Sequence, residues 1–140
     1  HKFLGSPMPC GVLISHRERI RPFKGNSQYV GSLDTTLSSS RNGLSTLVLW
    51  LLIKKLGAQG MAELAEEAFE LAAETADRMR QAGIPTSRHP EGCILVFPKP
   101  DEAISRRWHL STRGEFAHIV TLPGVTREML SGFIAELAES

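Results

Sequence analysis

His1-Lys2-Phe3-Leu4-Gly5-Ser6-Pro7-Met8-Pro9-Cys10-Gly11-Val12 opens the chain. Pro7 and Pro9 punctuate this stretch, and a short apolar run through Ser15 follows them. Such a run, starting just after turn-forming residues, predicts a buried strand at about residues 11–15. The start is a histidine and lacks the charged-then-apolar pattern of a signal peptide, so it is expected to be a fragment boundary or a cropped numbering. Further on, Arg17, Arg19 and Arg21 alternate, with Lys24 nearby, as at a solvated strand end. Residues 22–46 carry Pro22, Gly25, Gly31, Gly43 and many serines, threonines and asparagines. They predict a long polar loop of the functional or mobile kind.

A helix is expected from Asn42 or Gly43 through Trp50 to Leu56, interrupted by Gly57 and Gly60. A second helical stretch follows at about residues 61–81. Its apolar stripe is Met61, Leu64, Ala65, Ala68, Leu71, Ala72, Thr75, Ala76 and Met79, opposite a charged face. Gly83 stands where a C-terminal cap belongs, with Pro85 just beyond. The remainder predicts a strand at residues 93–97, a short helix capped by Asp101 and running through Trp108, and a hairpin of residues 109–112 and 116–122. Thr126 caps a last helix with the stripe Leu130, Phe133, Ile134 and Leu137. The sum is a small α+β unit reached by a long helix.

Composition bounds the function classes. The 140 residues are 41% apolar and 22% charged, the balance of a globular domain able to bury a core. A net charge of +1 suggests neither a nucleic-acid surface nor an acidic tail. The apolar run Leu47-Val48-Leu49-Trp50-Leu51-Leu52-Ile53 falls far short of the roughly 20 residues a membrane span needs. Cys10 and Cys93 have no metal or disulfide spacing and suit a cytoplasmic protein. No metal is expected. His16, His89, His109 and His118 show no ligand spacing, and His118, alternating within an apolar strand, reads as a packed, hydrogen-bonded histidine.

Periodicity alone stops at a soluble α/β or α+β domain. The opening segment goes further, because it is similar to the histidine–lysine segment of the group II pyridoxal-phosphate (PLP) dependent amino-acid decarboxylases. The resemblance is closest to their histidine and serine decarboxylase branch. Three more stretches support it in order: Asp34-Thr35-Thr36 running on to Ser40-Arg41-Asn42-Gly43, then Arg106-Arg107-Trp108, then Ala117-His118-Ile119-Val120-Thr121-Leu122-Pro123. The resemblance covers essentially the whole chain and implies an α/β protein of the fold type I PLP-dependent transferase fold. Residues 1–40 would end the large cofactor-binding domain; residues 41–140 would be a linking helix and the C-terminal small α+β domain.

The resemblance implies a PLP cofactor held by Lys2 as a Schiff base, with the alternative that Lys2 is one solvated cation among 16 basic residues. His1 would donate to the cofactor phosphate. Ser38, Ser39 and Ser40 precede a helix start; they are either a plain N-cap or a contact to the phosphate of a neighbouring subunit's cofactor. The role of Arg41 is open. Tyr29, the only tyrosine, is either a loop aromatic or the residue a mobile loop delivers to substrate. The implied reaction is decarboxylation of an L-amino acid, histidine or serine foremost, within a cytoplasmic homodimer of a longer chain. The alternatives are a valine-type decarboxylase, another fold type I enzyme such as an aminotransferase, and a truncated pseudoenzyme or dimerisation module. The groups that would pair with the pyridine nitrogen and stack on the ring are expected upstream, so the 140 residues alone should be inactive.

Overall fold

A computed structural model describes residues 2–19 and 42–139 of the chain. Its dominant element is helix α1, Gly43–Gln81, which Asn42 caps by accepting the Leu44 amide at 2.9 Å. Gly57 breaks α1 internally with φ 63° and ψ −172°, so it is two helices run together where two were expected. The end of α1 is a Schellman motif. Gly83 takes a positive φ of 80°, its amide donates to the Arg80 carbonyl at 3.0 Å, and the Ile84 amide donates to the Met79 carbonyl at 2.9 Å.

The C-terminal module then runs β1 (Ile94–Pro98), α2 (Glu102–Arg107), β2 (Ser111–Arg113), β3 (Phe116–Val120) and α3 (Arg127–Ala138). Asp101 caps α2 through the Ile104 amide at 2.8 Å, and Thr126 caps α3 through the Met129 amide at 3.2 Å. The strands form an antiparallel sheet in the order β1-β3-β2. Ser87 pairs with Val96 on the far side of β1.

Pleating decides which residues meet. Leu95, Phe97 and Ala117 share one face of the sheet and are buried against Ala72, Ala76 and Met79 of α1 and Phe133, Ile134 and Leu137 of α3. Phe133 is the hub, edge-on to Phe97 at 5.7 Å and to Trp108 at 5.2 Å. Every buried residue of α1 lies between Ala68 and Met79. The first half of the helix instead exposes Leu44, Leu47, Trp50, Leu51 and Ile53.

The opening segment departs from expectation. Residues 11–15 form no strand, and Val12, Leu13 and Ile14 are 63%, 81% and 88% exposed. A strand exists only where a neighbour completes its ladder, and among the described residues none lies beside this run. Arg17–Arg19 form a single 3-10 turn, not a strand end. No helix among the described residues is long and apolar enough to cross a membrane. Cys10 and Cys93 are not joined in a disulfide.

Candidate active site

Lys2 opens a turn closed by the Gly5 amide donating to its carbonyl at 3.1 Å. Gly5 takes φ 61°, and a Cβ there would stand 3.6 Å from Cβ of Pro123. The turn therefore sits against the loop that follows β3. Ser6 just after it is buried, its hydroxyl donating to the Met8 carbonyl at 3.1 Å.

This docking brings Lys2 to a cavity of about 330 Å³ at one end of the sheet. The cavity has a topological cause. β2 begins only at Ser111, opposite His118, whereas β3 continues to Ile119 and Val120 against β1. The two unmatched residues leave a gap beside β3, walled by residues 108–110 and the first turns of α3. The walls are mainly apolar, Trp108, Met129 and Phe133 among them. Among the described residues, the polar ones lining it are Lys2, His109, Ser111 and His118, and none is a carboxylate.

Lys2 is exposed and, among the described residues, has neither an ion pair nor a side-chain hydrogen bond. His118 is half-buried rather than packed away, and no hydrogen bond occupies its imidazole among the described residues. The expectation of a hydrogen-bonded core histidine is therefore corrected. Spacing could not reveal the meeting of Lys2, His109 and His118, because more than a hundred residues separate the lysine from both imidazoles.

His109 owes its place to the end of α2. Its amide donates to the Arg106 carbonyl at 3.2 Å, and the Leu110 amide donates to the Ser105 carbonyl at 2.9 Å. This is again a Schellman motif, with His109 at the left-handed position, φ 48°, where glycine is usual. The Arg106-Arg107-Trp108 stretch proves structural at its last two residues. Arg107 Nη1 donates to Glu136 Oε1 at 2.7 Å, and Trp108 Nε1 donates to Glu136 Oε2 at 2.8 Å, tying α2 to α3 beside the cavity. No cluster of metal-ligating side chains occurs among the described residues. His1, Tyr29, Ser38, Ser39, Ser40 and Arg41, named from the sequence, lie outside the described residues.

The α+β module, with the Lys2 turn docked at its sheet end, shares its fold with a segment of fold type I amino-acid decarboxylases. It is similar to a segment of L-methionine decarboxylase from Streptomyces sp. 590, solved in its internal aldimine form, with TM-score 0.67 and 32% identity over 84% of this chain and 26% of that one. In sequence the chain is homologous over 99% of its length to histidine and serine decarboxylases. It is 37% identical over 138 residues to a histidine decarboxylase of Mesorhizobium japonicum and 40% identical over 140 residues to serine decarboxylase 2 of Oryza sativa. Those stretches make up 37% and 30% of the two relatives, so the chain spans about a third of the curated relatives it matches. No protein-family model matches it.

Proposed function

We propose that this chain is part of a PLP-dependent carboxy-lyase that converts an L-amino acid, histidine or serine foremost, to the amine and carbon dioxide. The observation that carries the reading is the likeness to histidine and serine decarboxylases over 99% of the chain, with Lys2 among the residues that line a cavity. Among the described residues the site fits the cofactor: a lysine amine with no side-chain partner, a mainly apolar cavity, and no acidic residue lining it. When bound, PLP supplies a conjugated ring that takes up the electron pair left as carbon dioxide departs.

Lys2 would hold the cofactor covalently through Nζ. His1 would donate to its phosphate, and Ser38, Ser39 and Ser40 would contact the phosphate of a partner subunit's cofactor. Tyr29 would supply the proton that the substrate's α-carbon needs once carbon dioxide has left. Residues 1–40 end the large domain; residues 41–140 are the linking helix and small domain. Two exposed apolar features support this division. Val12, Leu13 and Ile14 lack a partner strand among the described residues, and the first half of α1 is uncovered. Both are surfaces for the remainder of the polypeptide and for a homodimer. Two cysteines without a disulfide accord with a cytoplasmic enzyme.

The test is made on the full-length protein. It should be yellow with PLP, and borohydride should bleach the colour, leave a pyridoxyl group covalently on Lys2 and stop carbon dioxide release. Lys2→Ala should abolish both the covalent pyridoxyl label and turnover of histidine, serine and valine. Tyr29→Phe should keep the colour and slow amine formation by about 10²-fold. A pyridoxyl group trapped on another residue removes Lys2 from this role, and a colourless protein that releases no carbon dioxide refutes the enzyme.

A further inference from the structure

We propose that Gly5 and Ser6 are positioning residues for Lys2, locking its turn onto the loop after β3 so that the C-terminal module sets where the lysine stands. The inference rests on the decarboxylase reading above and adds what places the cofactor's anchor. A lysine side chain is a flexible four-carbon stem. That of Lys2 has no partner among the described residues, so its root is aimed by the backbone.

Two successive turns do this. The Gly5 amide donates to the Lys2 carbonyl at 3.1 Å, and Gly5 leaves the turn at φ 61°, a left-handed conformation that L side chains disfavour. Ser6 is buried although Phe3, Gly5 and Pro7 around it are exposed. Pro7 and Pro9 have no amide hydrogen, so the Met8 amide is the one backbone donor in residues 7–9. Ser6 Oγ accepts from that amide at 3.3 Å and donates to the Met8 carbonyl at 3.1 Å. The hydroxyl is thereby engaged as donor and acceptor within its own turn, and Ser6 acts as a brace through the backbone.

The surface that receives these turns is stiff. A Cβ on Gly5 would stand 3.6 Å from Cβ of Pro123. Pro123 and Gly124 form the corners of a β-turn closed by the Val125 amide donating to the Leu122 carbonyl at 3.0 Å, with Gly124 at φ 98°. Proline at the first corner and a left-handed glycine at the second are the type II pattern. Thr121 ties this turn to α1 through the Ala68 carbonyl at 2.8 Å. The line of contacts thus runs from α1 through Thr121 and Pro123 to Gly5 and Lys2. A merely solvated chain end needs neither a buried serine nor a left-handed glycine set against a rigid corner.

The test uses the full-length protein, wild type against Gly5→Ala, Gly5→Asn, Ser6→Ala and Ser6→Thr. Gly114→Ala is the control: Gly114 has φ 58°, and a Cβ there meets nothing within 4 Å, so alanine brings the same backbone strain away from the Lys2 turn. Three readouts are taken: PLP affinity, the pH at which the visible band of the bound cofactor changes, and the thermal midpoint without PLP. Gly5→Ala should raise the PLP dissociation constant about tenfold and move the pH of the band change, while melting without PLP like Gly114→Ala. Gly5→Asn should retain more affinity, because asparagine tolerates the left-handed region better. Ser6→Ala should weaken PLP about fivefold, and Ser6→Thr, which keeps the hydroxyl, should restore most of it. Unchanged affinity and band in Gly5→Ala and Ser6→Ala overturn the proposal. So does a loss in Gly114→Ala as large as in Gly5→Ala, or a loss that only follows the thermal midpoint. Gly5→Asn losing as much as Gly5→Ala removes the left-handed backbone of Gly5 from the role. A wild-type protein without the visible band fails at the decarboxylase reading itself and takes this inference with it.

Discussion

Thr121 shows how much one side chain does next to the loop on which the Lys2 turn rests. It is fully buried, and its hydroxyl lies 2.8 Å from the Ala68 carbonyl of α1 and 3.3 Å from the Cys93 carbonyl ahead of β1. The single hydroxyl hydrogen serves the shorter contact best. The bond pins the end of β3, and with it the loop on which the Lys2 turn rests, to the long helix. Thr121→Val keeps the shape and removes the donor. It should lower stability by about 1–2 kcal/mol, the cost of a lost buried hydrogen bond, read as an earlier midpoint in urea with an unchanged slope. An unchanged midpoint would mean that the helix carbonyl never depended on this hydroxyl.

Among the elements, α2 is too short to hold itself and depends on α3. Glu136 accepts from both Arg107 and Trp108, and Trp108 lies edge-on to Phe133. Glu136→Ala leaves the indole N–H without an acceptor and should destabilise the module by about 1–2 kcal/mol. Because α2 positions the cavity wall, it should also weaken substrate binding; thermal melts and substrate titration check the two effects. A second tie, Arg127 Nε donating to Glu74 Oε2 at 2.8 Å, joins α3 to α1. The hydrogen bond to Glu74 and then its charge raise the Arg127 pKa above its ordinary value. A cation with a raised pKa contributes stability below its ordinary value and loses it only as pH climbs past the raised one. Both lie far above neutrality, so this largely solvent-exposed pair responds to salt and not to pH in the neutral range.

For the whole molecule, the uneven burial of α1 divides the chain. The apolar core is assembled from residues at and beyond Ala68, and none of the exposed apolar residues of the first half of α1 joins it. A chain of residues 58–140 should therefore unfold cooperatively as a monomer. The 140-residue chain should self-associate through Leu44, Leu47, Trp50 and Leu51 while showing nearly the same unfolding midpoint. Light scattering and urea titration of the two chains check this. A shorter chain that melts without cooperativity would show that the opening segment holds the module together, through Ser6 and the Lys2 turn.

Local chemistry made the C-terminal module readable from its residues. Asn42, Asp101 and Thr126 are caps because their side chains meet the next amides, and Gly83 ends α1 because it can turn left-handed. The α3 stripe of Leu130, Phe133, Ile134 and Leu137 is buried as its spacing required. The resemblance carried by the four segments likewise foretold the decarboxylase relatives. Residues 11–15 failed as a strand for the complementary reason: apolar character names a strand only when a neighbour is present to pair with it. The gathering of Lys2, His109 and His118 was decided by tertiary structure alone. It depends on β2 stopping two residues short of the end of β3 and on a turn docking against Pro123. These are contacts between distant parts of the chain, and periodicity or spacing along a sequence does not encode them.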